Sequence, residues 1–270
     1  MIKNYPFLNP MPRVVAHRGD SHNFPENTIE AFGSAVEMKV DVIETDVHLS
    51  KDGHIVIWHD ETLDRNTDGS GRIEDFTLKE LKKLDAGYTF SPDGGKTFPF
   101  RKKGVKLATL DEALNAFPNQ RFNVDLKSKE KEIVGVFEKV VVKNNSIDKV
   151  LCASFHLKNL NMMRKLNPNI LTSLTTIEVV SYLLKQKLSL LPKKEKLLRP
   201  LVFQVPVRQW GIEVITKKFV DDLHKIGSVI QVWTINDEKE MRRLFELGVD
   251  SVMTDDPATL IEVVNSLNLQ

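Results

Sequence analysis

The chain has 270 residues, 41% hydrophobic and 28% charged, enough for one large core and compatible with either a single barrel or two smaller domains. Its 38 basic and 37 acidic residues leave a formal charge of +1, which gives no support for nucleic-acid binding. The single cysteine, Cys152, excludes an internal disulfide, and its apolar neighbours Val150, Leu151 and Ala153 predict a buried thiol rather than a nucleophile.

No run of about 20 apolar residues is present, so no membrane-spanning helix is expected. The start of the chain, Met1 to Pro6, lacks the apolar core of a signal peptide, which predicts a cytoplasmic protein.

In chain order, short apolar runs alternate with longer stretches of helical periodicity. The strand candidates are Val14–His17, Val42–His48, Phe122–Lys127, Val150–Phe155, Leu171–Thr175, Leu201–Val205, Val229–Thr234 and Ser251–Asp255. Helices are predicted from Pro25 toward Met38, from the capping-box sequence Thr109-Leu110-Asp111-Glu112, and over Lys129–Lys143, Leu157–Leu166, Thr216–Lys225, Asp237–Leu247 and Pro257–Leu267. Buried parallel strands read as continuous apolar runs joined by crossover helices, and eight such units predict a (β/α)8 TIM barrel formed by one catalytic domain over residues 1–270. An open doubly wound sheet is the rival. It predicts a glycine-rich turn after the first strand, whereas the sequence there is His17-Arg18-Gly19-Asp20.

Two segments interrupt the alternation. Lys51-Asp52-Gly53-His54 reads as a hairpin turn leading to a short strand, Ile55-Val56-Ile57-Trp58. Residues 61–105 then form an insertion rich in glycine and lysine. Within it, Asp93-Gly94-Gly95-Lys96-Thr97 departs from a phosphate-binding loop, because Phe90 occupies the place of the first glycine, and it reads as a turn.

Residues two apart on a strand share a face, so Glu44, Asp46 and His48 point one way on the second strand, as do Asn123, Asp125 and Lys127 on the third. Three carboxylates in apolar strands are costly to bury without compensation, and Lys127 alone does not balance them. An all-oxygen set of this kind suits a hard divalent cation, Mg²⁺ or Ca²⁺, rather than Zn²⁺. His17 and His59 can serve as general base and general acid, and Arg18 and Lys127 can hold phosphate oxygens.

Taken in order, His17-Arg18-Gly19, Pro25-Glu26-Asn27-Thr28, Glu44-Thr45-Asp46-Val47, Lys51-Asp52-Gly53, His59-Asp60 and Asp125-Leu126-Lys127 resemble the glycerophosphodiester phosphodiesterase family. The resemblance continues through Ala153-Ser154-Phe155, Val232-Trp233-Thr234-Ile235-Asn236 and Gly248-Val249-Asp250 to Thr254-Asp255, covering about residues 13 to 257. It implies a barrel with an insertion after the second strand, metal binding by Glu44, Asp46 and Asp125, acid–base roles for His17 and His59, and phosphate contacts from Arg18 and Lys127. It implies hydrolysis of glycerophosphodiesters to glycerol 3-phosphate and an alcohol, either through a cyclic phosphate or by direct attack of water. The third acid is often Glu in this family; Asp125 is one methylene shorter, which places a metal closer to that strand or brings in a bridging water. Ser50 stands where Thr is common and keeps the hydroxyl.

Around this set, Glu26 and Asn27 are expected to support the site from behind His17, and Phe155, Gln204 and Trp233 to line the pocket for the alcohol. His48 is expected to cap the hairpin, His224 to pack or hydrogen-bond on its helix, and Asp255-Asp256 to cap the last helix. The apolar stretch 177–191, followed by Lys193-Lys194-Glu195-Lys196, reads as a barrel helix with a solvated end or as a membrane-contacting lip. The lip would suit a lysophospholipase D acting on lysolipids. A catalytically silent binding protein, a further alternative, predicts loss of a histidine or of two acids, and all are present.

Overall fold

A computed structural model describes residues 5–209 and 211–269. The parts of the expected single domain at residues 1–4, 210 and 270 lie outside the described residues.

The chain runs β1 (Val14–His17), α1 (Ile29–Glu37), β2 (Val42–Leu49), β3 (Ile55–Ile57), α2 (Leu78–Leu81), α3 (Leu110–Ala116), β4 (Arg121–Leu126), α4 (Glu132–Lys143), β5 (Val150–Ala153) and α5 (Leu157–Leu166). It continues through β6 (Leu171–Thr172), α6 (Thr176–Lys187), β7 (Val202–Val205), β8 (Arg208–Gln209), β9 (Ile212–Glu213), α7 (Lys217–Lys225), β10 (Val229–Val232), α8 (Glu238–Glu246), β11 (Ser251–Thr254) and α9 (Pro257–Ser266). Seven of these helices start on a Thr or Asp whose side chain accepts a backbone N–H of the first turn: Thr28, Thr77, Thr109, Thr175, Thr216, Asp237 and Asp256.

Parallel pairing runs β6-β5-β4-β2-β1-β11-β10-β7, and a parallel bridge between Ser173 and Val202 brings the two ends of this sheet together. The result is a nearly closed (β/α)8 barrel, as the alternation predicts. The eight strands match the expected ones, though most end a residue or more earlier at the C-terminal side; Lys127 lies just beyond β4, where its N–H still donates to the Val47 carbonyl at 3.0 Å.

Alternation of side chains sorts the barrel interior by height. At its lower end Val15, Val42, Leu151, Leu171, Val202 and Val229 form an apolar cluster, plugged from below by Phe7 and Leu8. Two residues further along the same strands stand His17, Glu44, Ser173, Gln204 and Gln231. The polar end is therefore the C-terminal mouth, where the loops after the strands converge. A second, larger apolar layer, including Phe32, Phe122, Phe137, Phe203 and Leu244, lies between strands and helices.

After β2 the chain turns back as β3, antiparallel to it. The insertion that follows packs Leu63, Ile73, Leu81, Ala86 and Val105 around Val56 and Trp58. Asp93 accepts backbone N–H groups from Lys96 and Thr97, so the glycine-rich segment is a turn.

Candidate active site

A cavity of about 820 Å³ opens at the C-terminal mouth. His17, Arg18, Glu44, Asp46, His59, Asp125, Lys127, Phe155, Gln204 and Trp233 all line it, along with Asn123, which the face-sharing argument places there too.

His17 ends β1, and its Nδ1 lies 2.6 Å from Asp255 Oδ1. Asp255 also accepts from Ser21 Oγ at 3.2 Å and Asn236 Nδ2 at 2.6 Å. Burial would lower the His17 pKa, but the Asp255 hydrogen bond and the Glu44 charge outweigh it, so the imidazole titrates above its ordinary range. Burial opposes ionisation of Asp255, yet His17 and Asn236 hold it down at about 2. The expectation that Asp255 and Asp256 both cap the last helix is half corrected: Asp256 caps α9, while Asp255 turns into the mouth and fixes His17. A residue at a strand's end can face the mouth or the helix, and sequence alone does not choose between them.

His59 repeats the arrangement. Its Nδ1 is 2.6 Å from Asp60 Oδ1. Arg65, from the insertion, donates to Asp60 Oδ2 through Nε at 2.6 Å and to Glu26 Oε1 through an η nitrogen at 2.7 Å. Burial works against the Asp60 charge, but Arg65 and His59 bring its pKa down to about 2. Glu26 in turn accepts from Arg18 at 2.8 Å. One chain of charged contacts therefore runs Arg18–Glu26–Arg65–Asp60–His59. The pair His59-Asp60 is visible in sequence but its second member's role is not, and Arg65 does not stand out as a support because the insertion's path over the mouth is not readable from periodicity.

Asn27 donates to Asp46 Oδ2 at 3.0 Å and accepts from Thr45 Oγ1 at 2.7 Å. Glu26 and Asn27 thus stand behind the cavity and orient Arg18 and Asp46. His48 does not line the cavity; its ring Nε2 sits 3.1 Å from the His59 carbonyl and so ties the His59 loop to β2. His224 contacts Asp250 at 2.9 Å on the outer side of the barrel. Cys152 is buried, and desolvation pushes its thiol pKa up.

The carboxylates are gathered by the register: Asp46 pairs with Asp125 across β2 and β4, and Glu44 with Asn123. Lys127 Nζ contacts Asp46 at 2.9 Å and Asp125 at 2.7 Å, and Arg18 Nε lies 3.3 Å from Asp46. Burial would raise the Asp46 pKa, but Lys127 and Arg18 hold it low. Glu44 meets His17 Nε2 at 3.9 Å and the Arg18 backbone N–H at 3.3 Å, but burial and the Asp46 charge outweigh the nearby cations and push it up to about 8. Asp125 is also raised by burial, with Lys127 working against it.

These residues fit a divalent cation by donor chemistry. Four oxygen-bearing side chains, Glu44, Asp46, Asn123 and Asp125, converge on the mouth, and both Asn123 Oδ1 and Asp125 Oδ1 are buried without a hydrogen-bond partner. Among the described residues no three His, Cys, Asp or Glu side chains surround a common point as they stand. The ammonium of Lys127 sits between two of the acids, and it has to yield for them to share an ion.

Phe155 is exposed at the rim, with its ring centroid 5.5 Å from Lys127 Nζ. Gln204 donates to Gln231 Oε1 at 2.8 Å, and Trp233 is half-buried beside the apolar barrel floor.

The family model described as glycerophosphoryl diester phosphodiesterase family matches residues 17–259, which include every residue placed in this site. The chain belongs to the glycerophosphoryl diester phosphodiesterase family. Its relatives include a glycerophosphodiester phosphodiesterase of Caldanaerobacter subterraneus, 37% identical over 93% of this chain and 97% of the relative. Another from Bacillus altitudinis is 33% identical over 94% of this chain and 98% of the relative. Among solved structures, an Oleispira antarctica phosphodiesterase in complex with its product sn-glycerol-3-phosphate superimposes with a TM-score of 0.79 at 27% identity, covering 96% of this chain and 99% of that one. Family membership agrees with the resemblance drawn from the ordered motifs.

Proposed function

We propose that the protein hydrolyses glycerophosphodiesters to glycerol 3-phosphate and an alcohol, as a single catalytic barrel with residues 61–105 inserted. The observation that carries this reading is the pair of histidines in one cavity, each held by its own carboxylate beside buried cations and acids. The product held by the Oleispira antarctica structure supports the substrate class.

In this reading the phosphate lies between Arg18 and Lys127, whose charges stabilise the extra negative charge of the transition state. One of His17 and His59 takes the proton of the attacking hydroxyl as its oxygen bonds to phosphorus. The other gives a proton to the departing alcohol oxygen as the P–O bond breaks. Asp255 and Asp60 fix the ring orientations and stabilise the imidazolium form. Glu44, Asp46 and Asp125, with Asn123 beside them, would hold Mg²⁺ or Ca²⁺. Such an ion supplies Lewis-acid polarisation of a phosphoryl oxygen. Phe155, Gln204 and Trp233 line the wall that faces the alcohol.

The test is release of glycerol 3-phosphate from glycerophosphocholine, with chelator, Mg²⁺ or Ca²⁺, for the wild type and for His17→Ala and His59→Ala. Release that needs the cation and falls roughly 10²- to 10⁴-fold in each variant is expected. Turnover that survives both substitutions would overturn the assignment.

A further inference from the structure

Gln204, Gln231 and Ser251 stand abreast on three neighbouring strands. The register pairs Gln204 of β7 with Gln231 of β10, and Gln231 with Ser251 of β11. Ser251 and Gln231 are buried, while Gln204 is half-buried and lines the catalytic cavity. Gln204 Nε2 donates to Gln231 Oε1 at 2.8 Å, Gln231 Nε2 to Ser251 Oγ at 3.4 Å, and Ser251 Oγ to the Pro12 carbonyl at 2.7 Å.

This row of hydrogen bonds has one direction. A carbonyl only accepts, so the single proton of the Ser251 hydroxyl is committed to Pro12. Toward Gln231 the hydroxyl is then an acceptor, which turns the Gln231 nitrogen to Ser251 and the Gln231 oxygen to Gln204. That buried oxygen needs a donor, so the Gln204 nitrogen turns to it. Gln204 Oε1 is left for the cavity, and among the described residues no group donates to it. An amide free to rotate could serve a donor or an acceptor; this one is set as an acceptor.

The barrel places that oxygen opposite the acids. From β7 to β2 there are four steps either way, through β10, β11 and β1 or through β6, β5 and β4. Gln204 therefore faces Glu44 from the far wall. It is level with Glu44, since they stand two residues beyond Val202 and Val42 of the lower apolar cluster. A phosphate held beside the acids by Arg18 and Lys127 leaves the alcohol to reach across toward Gln204.

We propose that Gln204 selects the alcohol half of the substrate by accepting a hydrogen bond from it, with Gln231 as the positioning residue that holds the amide in that orientation. This rests on the phosphodiesterase reading of the site. The chemistry required is a donor on the alcohol, a hydroxyl or an ammonium. An alcohol whose oxygen or nitrogen carries only carbon displaces water from Gln204 Oε1 and leaves it without a partner.

The experiment measures kcat/KM on two pairs of glycerol 3-phosphate diesters. In the first pair the alcohol is ethylene glycol or its monomethyl ether, which keeps the oxygen and loses the O–H. In the second it is ethanolamine or choline, both cationic, of which only ethanolamine has N–H groups. A preference of roughly 10- to 100-fold for the donor is expected in the first pair where a hydroxyl is the partner, in the second where an ammonium is, and in both where either serves. Gln204→Met is expected to remove the preference. Gln231→Met frees the Gln204 amide to turn its nitrogen to the cavity, so the preference should shrink with the ether diester gaining. Ser251→Ala, a smaller change, removes the end that sets the direction and should shrink the preference as well. A merely structural role for Gln231 and Ser251 would slow paired diesters alike and leave their ratio unchanged. Equal kcat/KM within both wild-type pairs, a preference that survives in Gln204→Met, or an unchanged ratio in Gln231→Met and Ser251→Ala overturns this inference and leaves the phosphodiesterase reading standing. Failure to cleave any of the four diesters overturns that reading, and with it the role assigned to Gln204.

Discussion

The imidazole of His17 and the carboxylate of Asp255 meet at 2.6 Å although they are 238 positions apart in sequence, because β1 and β11, the first and last strands, pair in parallel within the sheet. The contact fixes which ring nitrogen of His17 is left for the cavity and raises its pKa against the opposing effect of burial.

Asp255→Asn should therefore lower kcat by roughly 10²- to 10⁴-fold, since an amide neither fixes the tautomer nor stabilises the imidazolium. The sign of the pH effect follows from the same contact. Without the carboxylate the His17 pKa falls, so the limb of the pH–rate profile that reports His17 moves to lower pH, whether the residue acts as acid or base. A profile with both limbs unmoved would assign Asp255 a purely structural role.

Arg65 braces both halves of the mouth through Asp60 and Glu26. Arg65→Ala is expected to reduce kcat by roughly 10- to 100-fold while KM changes little, as befits a residue that positions His59 and Arg18 without touching substrate. Arg65→Lys should recover little of the loss, because an ammonium lacks the forked donors that reach two carboxylates at once. Full recovery in the lysine variant would show that only the charge matters.

Gly19 has φ +83, and a Cβ there would stand 2.8 Å from both the carbonyl carbon and the oxygen of Ala31. Gly19→Ala combines left-handed backbone strain with a clash against the backbone of α1. It should destabilise the fold by about 2 kcal/mol or more in urea unfolding. The displaced loop carries Arg18, so activity should fall further than stability at temperatures where the variant stays folded. Unchanged midpoint and activity would mean that the loop relaxes freely.

The barrel was legible because its signal is repeated: eight apolar runs with capped helices between them, each weak, agree on one topology. The face-sharing of Glu44 with Asp46 and of Asn123 with Asp125 was legible for the same reason, since strand alternation is a fixed period of two. What escaped was anything set by loop conformation. Asp255 lies one residue past β11 and next to a true helix cap, Asp256, so local pattern made the pair look alike. Arg65 takes its role from where the insertion crosses the mouth, and no periodicity encodes that path. His48 shows the converse limit: it shares a strand face with Glu44 and Asp46, yet by its position the strand has left the cavity and the ring binds the His59 carbonyl instead.

Glu44 links cation binding to protons. In the chelated protein burial and the neighbouring Asp46 raise its pKa to about 8, above the value of the unfolded chain. A carboxyl raised in this way favours the folded state while protonated. Stability is thus lost as pH climbs from the unfolded value toward about 8, and Asp125, raised by burial, acts in the same sense. A divalent cation between these acids removes the need for the proton. Binding at pH 7 should then release up to about one proton, seen calorimetrically as different apparent enthalpies in buffers of different ionisation enthalpy. The gain in Tm on adding Mg²⁺ or Ca²⁺ over chelator should widen from about pH 5 to about pH 8. Glu44→Gln should weaken cation binding and abolish the proton release, whereas Asp125→Asn should weaken binding and leave Glu44 to release its proton at saturating ion. Equal enthalpies in the two buffers, together with a Tm gain independent of pH, would place the cation away from Glu44.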